Sequence, residues 1–132
     1  MRARILIIED DSFSRDLVKF LLEAAGYSVL VAEDGNIGLS MALVSKPDLI
    51  ICDLQMPVMN GYDVVRGLAK NADWRRVPLI AVTAFSMRGD REKALAAGFD
   101  EHISKPIAPE NFISQIEAFL PESLRSGRRL RH

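Results

Sequence analysis

The chain has 132 residues and a mass of 14.7 kDa, with 48% hydrophobic, 27% charged and 7% aromatic residues. That is enough for one domain to bury its own core, and it excludes a disordered, collagen-like or disulfide-stapled chain. The net charge of −1 is uneven: residues 121–132 carry four Arg against one Glu, leaving −4 on residues 1–120, a balance that argues against a nucleic-acid-binding core.

The lone cysteine, Cys52, has no partner for a disulfide or a thiolate metal site. A reducing compartment, the cytoplasm, is therefore expected. No apolar run approaches the roughly 18 residues of a membrane span, and the N-terminus lacks the pattern of a signal peptide.

In chain order, short apolar runs at Ile5–Ile8, Val29–Val31, Leu49–Ile51, Leu79–Val82 and, more weakly, His102–Ser104 predict five strands. Helical spacing follows. Leu17, Val18, Leu21, Leu22 and Ala25 share a face, as do Val64, Val65, Leu68 and Ala69, and Phe112, Ile113, Ile116, Phe119 and Leu120. A fourth, weakly apolar helix is expected over roughly Arg88–Ala97, with Trp74 at the end of the third. Gly26 and Gly98 read as helix ends, and Asp34-Gly35 as the start of the second helix.

Strands that are continuously apolar are buried on both faces, which predicts an α/β fold: a doubly wound, five-stranded parallel sheet of (βα)5, flavodoxin-like type. Right-handed crossovers leave the strand order 2-1-3-4-5 as the commonest solution. Residues 1–120 are expected to form this domain, and residues 121–132 a basic, disordered tail.

Ligands of open α/β sheets bind beyond the carboxyl ends of the strands, where the winding reverses between strands one and three. Those ends read Glu9-Asp10-Asp11 and Asp53-Leu54-Gln55. Like charges ~4 Å apart cost ~4 kcal/mol at an effective dielectric of ~20, so the acids must take up protons or hold a cation. With no His or Cys offered to a soft metal, a hard cation such as Mg²⁺ suits the oxygens. Asp11, just ahead of the first helix, reads as its N-cap. Thr83 and Lys105 end strands four and five on the same edge, a hydroxyl and an ammonium suited to a bound phosphoryl group.

Glu9-Asp10, Asp53-Leu54-Gln55-Met56-Pro57 with Asn60-Gly61, Thr83-Ala84 and Lys105-Pro106 together resemble the signature of the response-regulator receiver domain, the CheY-like family of two-component signalling. The stretches Ala81–Asp90 and Ile103–Ile107 are similar to DivK-like single-domain regulators of cell division and polarity, and to the receivers of hybrid kinases. The resemblance implies that Asp53 accepts a phosphoryl group from a histidine kinase or phosphotransfer protein. It implies Mg²⁺ ligation by Asp10, Asp53 and the Gln55 backbone carbonyl, with Glu9 acting mostly through water.

Thr83 and Lys105 would contact the phosphoryl oxygens, and the Lys105-Pro106 bond is expected to be cis. Modification would shift the face formed by the fourth helix, fifth strand and fifth helix, where a downstream protein partner binds. The family's usual aromatic switch residue, three positions before the lysine, is His102 here, so Thr83 and His102 form the expected switch. Gln55 and Phe85 would tune hydrolysis of the acyl phosphate, the bulky Phe85 slowing it.

Phe85, Met87 and Phe99 are candidates for partner contact. A monomer or weak dimer is expected, acting as a switch and not as an enzyme. Either a stand-alone switch or the receiver module of a longer regulator or hybrid kinase fits these residues. An aspartyl-nucleophile phosphatase is disfavoured because Gln55 supplies no general acid, and flavin binding because the acidic first loop repels phosphate.

Overall fold

The computed structural model describes residues 2–84 and 87–125. Five strands, β1 (Arg4–Ile8), β2 (Ser28–Ala32), β3 (Leu49–Asp53), β4 (Leu79–Thr83) and β5 (Glu101–Ser104), alternate with five helices. These are α1 (Ser12–Ala24), α2 (Gly35–Ser45), α3 (Gly61–Ala69), α4 (Asp90–Ala97) and α5 (Pro109–Glu117). All strand pairs are parallel, in the order β2-β1-β3-β4-β5 expected from the sequence.

Alternation of side chains across each strand splits the core into two layers. Ile5, Ile7, Ile51, Ile80 and Val82 pack with Val18 and Leu22 of α1 and Phe112 and Ile116 of α5. Leu6, Ile8, Ile50, Cys52 and Ala81 pack with Ala42 of α2, Val64 and Leu68 of α3 and Ala94 of α4. Every residue of β3 and β4 is buried, whereas β2 and β5, at the sheet edges, are half-buried along much of their length. At up to roughly 1.5–3 kcal/mol per buried aliphatic side chain, the two layers rather than local propensity hold the sheet in register.

Local chemistry sets the helix starts. Asp11 accepts a hydrogen bond from the Ser14 N–H at 2.9 Å, and Asp34 one from Ile37 at 2.8 Å. Asn60 and Asp63 satisfy each other's backbone N–H groups at 2.9 and 3.0 Å, a reciprocal cap on α3.

Several sequence expectations shift. Trp74 is not at the end of α3: Asn71 accepts from the Asp73 N–H at 2.9 Å, turning the chain so that Trp74 packs from a loop. Helix α4 starts at Asp90 and not Arg88, because Gly89 takes a left-handed φ of +91° and Asp90 accepts from Met87 N–H at 2.6 Å. Phe119 and Leu120 lie past the end of α5, and Ala69 is exposed. Phe99 is no surface residue; it is 3% exposed, edge-on to Tyr62 with ring centroids 6.2 Å apart.

Beyond α5, Glu122–Leu124 form a 3-10 turn with Leu124 against the core, and residues 126–132 of the expected tail lie outside the described residues. Among the described residues, no helix is long and apolar enough to cross a membrane.

After β3 the chain makes a tight turn in which Met59 N–H donates to the Pro57 carbonyl at 2.7 Å, with Val58 at φ +70° between them. A β-branched residue is strained there, and a side chain that is 98% exposed recovers nothing by burial. Val58→Asn is expected to stabilise the protein by about 1 kcal/mol, read as a raised urea midpoint at unchanged slope. An unchanged or lowered midpoint contradicts this.

Candidate functional site

Pairing of β1 with β3, Ile8 beside Cys52, brings the two acidic strand ends together. Glu9 continues the ladder one step beyond β1, its N–H donating to the Ala32 carbonyl at 3.0 Å, and the residue is only 4% exposed. Asp53 ends β3, also buried, while Asp10 is exposed at the rim. One oxygen from each of Glu9, Asp10 and Asp53 lies within 4.8 Å of the others.

Lys105 closes the cluster. Its N–H donates to the Thr83 carbonyl at 2.8 Å, and the Lys105-Pro106 peptide is cis, as expected from the sequence. The ammonium lies 2.9 Å from Glu9 Oε1 and 3.5 Å from Asp53 Oδ2. The remaining Asp53 oxygen, Oδ1, accepts from Gln55 N–H at 3.0 Å, and Glu9 Oε2 accepts from Asp11 N–H at 3.1 Å. Thr83 is buried at the end of β4, paired with Ser104. The loop after β3 can fold this close only because residue 61 is glycine: a Cβ there would meet the Asp53 carbonyl oxygen at 2.7 Å.

Three carboxylates against one ammonium leave an excess of negative charge in a confined volume. Burial raises the Glu9 carboxyl to about 7, reinforced by Asp53 and opposed by Lys105. For Lys105, burial acts to lower the pKa, but Glu9 and Asp53 outweigh it and hold the ammonium above its ordinary value. Burial pushes the Cys52 thiol far above its usual range, so it is inert filler at the strand end. Asp11 is lowered by its hydrogen bonds from Ser14, as an N-cap should be. The oxygen donor set and the surplus charge fit a hard divalent cation such as Mg²⁺ and offer nothing to a soft metal.

The structure thus brings Glu9, Asp10, Asp53, Thr83 and Lys105 to one edge, with the Gln55 backbone beside Asp53. His102 lies apart on β5, paired with Ala81, its Nε2 shielded from solvent. Phe85 lies outside the described residues.

Two features were missed in the sequence. Arg15 donates to the Glu9 carbonyl at 3.0 Å and so braces the acidic loop; its place one helical turn after the Asp11 cap was the available signal. An apolar groove of about 400 Å³, lined by Phe13, Leu17, Pro106 and Ile107, lies against Lys105. Phe13, 75% exposed on the first turn of α1, was its only trace in the sequence.

An acidic pocket with a lysine, at the switch point of a 2-1-3-4-5 sheet, defines a phosphoryl-accepting signalling module. Residues 5–117 match the response regulator receiver domain, and the chain belongs to that family: it is a receiver of two-component signalling. It is 37% identical over 123 residues to the polar-differentiation response regulators DivK of Brucella anthropi and Brucella ovis, an overlap of 93% of this chain and all of each relative.

Among solved structures, Vibrio cholerae chemotaxis protein CheY4 superposes with a TM-score of 0.84 at 28% identity, covering 91% of this chain and 100% of that one. The receiver domain of sensor histidine kinase PA1611 from Pseudomonas aeruginosa, which holds a magnesium ion in its active site cleft, superposes with a TM-score of 0.81 at 30% identity, covering 90% and 98%.

The raised Glu9 pKa has a signed consequence. A carboxyl whose pKa is higher folded than unfolded stabilises the fold when protonated, and that contribution is lost as pH climbs from 4.5 through about 7. Without divalent cations, Glu9 is expected to make the melting temperature fall between pH 5 and pH 7, and Glu9→Gln should flatten that slope. Equal slopes in wild type and variant contradict this assignment.

Proposed function

We propose that Asp53 is the phosphoacceptor. An oxygen of its carboxylate attacks the phosphorus of a kinase or phosphotransfer-protein phosphohistidine; the P–N bond breaks, and the imidazole leaves with a proton. Lys105, already within 3.5 Å of Asp53, pairs with one phosphoryl oxygen, and the Thr83 hydroxyl donates to another. Asp10, Asp53 and the Gln55 carbonyl would hold Mg²⁺, with Glu9 acting through water, and a bound ion would supply charge neutralisation at the phosphoryl oxygens. The protein's own part is positioning: Gln55 N–H and Lys105 fix the two carboxylate oxygens of Asp53, while Arg15 steadies the Glu9 loop.

Modification of Asp53 draws on Thr83 and His102 and shifts the α4–β5–α5 face toward a downstream protein. Gln55 and Phe85 set how fast water removes the phosphoryl group. Residues 1–120 form the receiver unit and residues 121–132 a basic extension. The protein acts in the cytoplasm as a monomer or weak dimer, a switch and not a turnover enzyme.

The stand-alone switch is favoured by a match that spans the whole of DivK, a polar-differentiation response regulator, and that likeness supports cell-cycle or polarity signalling as the proposed setting. A module of a longer hybrid kinase is the second reading, favoured by the 30% identity to a kinase receiver. The observation that carries the proposal is Lys105 bridging Glu9 and Asp53 inside a three-carboxylate cluster.

With a small-molecule phosphodonor and Mg²⁺, intact mass should rise by one phosphoryl group in the wild type and stay unchanged in Asp53→Asn. Lys105→Ala should slow the gain by a factor on the order of 100. Labelling of Asp53→Asn at the wild-type rate overturns the assignment.

A further inference from the structure

Strand register places His102 beside Ala81, on the sheet face that α4 covers through its buried Ala94. Among the described residues, its Nε2 is the one buried side-chain nitrogen or oxygen without a hydrogen-bond partner. A polar atom stripped of water and left unpaired disfavours the arrangement that buries it.

The helix above is weakly anchored. Helix α4 has eight residues, buries only Ala94, has no side-chain N-cap, and is bounded by glycines at φ +91° and +120°. Its other ties are polar and peripheral: Arg91 pairs with Glu101, and the Lys93 ammonium lies 5.2 Å from the Tyr62 ring centroid. Such ties hold a helix in place without committing it to one position.

We propose that His102 is a built-in bias on α4: the unpaired Nε2 makes the seated helix costlier than a displaced one in which that nitrogen meets water or a hydroxyl. Ser104, two residues beyond His102, and its partner Thr83, two residues beyond Ala81, put two strand-end hydroxyls on that same face of the sheet. The bias rests on the reading of the α4–β5–α5 face as the output surface, and it keeps that face poised before any phosphoryl transfer. An aromatic hydrocarbon at position 102 would seat α4 more firmly, so His102 sets how readily the switch responds.

Hydrogen exchange on the unmodified wild type and His102→Phe tests this directly. The Phe ring keeps the bulk and removes the polar nitrogen. Exchange at the α4 amides, residues 90–97, should slow by about five- to a hundredfold, the range expected for relief of one buried unpaired polar group. Unchanged α4 exchange overturns the proposal, whether or not α1 amides slow, because the cost would then not be relieved by opening α4.

A second reading needs no variant: ¹⁵N spectra of the wild-type imidazole should show Nε2 without a hydrogen bond, and a bonded Nε2 overturns the idea. Intact mass after phosphodonor treatment tests the receiver chemistry separately, so failure there is distinguishable from failure here.

Discussion

A single ammonium placed between buried carboxylates organises this molecule. Lys105 sits 2.9 Å from Glu9 and 3.5 Å from Asp53, close enough to keep two desolvated acids at one sheet edge but too little charge to balance three. The imbalance is what makes the site responsive. The cluster can be relieved by protonating Glu9 or by capturing a cation. A fully neutralised pocket would be more stable and chemically idle.

The scaffold serves that geometry by bringing distant residues together without long side-chain reach. Glu9, Asp53, Thr83 and Lys105 each stand at or just past the carboxyl end of a strand, and parallel pairing in the order β2-β1-β3-β4-β5 lines those ends up. Two buried layers fix the register, while the loop after β3 is drawn in by Gly61 and held by the Asn60–Asp63 cap. Rigidity is concentrated at the centre of the sheet. Toward β5 the packing thins, and α4, with one buried residue, is where movement costs least.

The sheet order and the polar residues of the edge were legible in the sequence because strand-end chemistry stands out against uninterrupted Ile-Leu-Val runs. Asp53 after Leu49–Cys52, and Lys105 after Ile103-Ser104, are polar where the pattern predicts apolar. Boundaries set by local turns were harder to see: the Asn71 turn moved Trp74 off α3, and the left-handed Gly89 with the Asp90 turn delayed α4. Burial of Phe99 depended on the ring of Tyr62, 37 residues earlier in the chain, a tertiary contact invisible to local periodicity. The role of Arg15 and the solitary Nε2 of His102 likewise emerge only when separate segments meet.

Calorimetric titration of Mg²⁺ into the unmodified protein asks most directly whether the surplus negative charge at this edge is a cation site. One ion per chain should bind the wild type, with affinity weakened about tenfold or more in both Asp10→Asn and Asp53→Asn. Undiminished binding in both variants, or no binding to the wild type, contradicts the account.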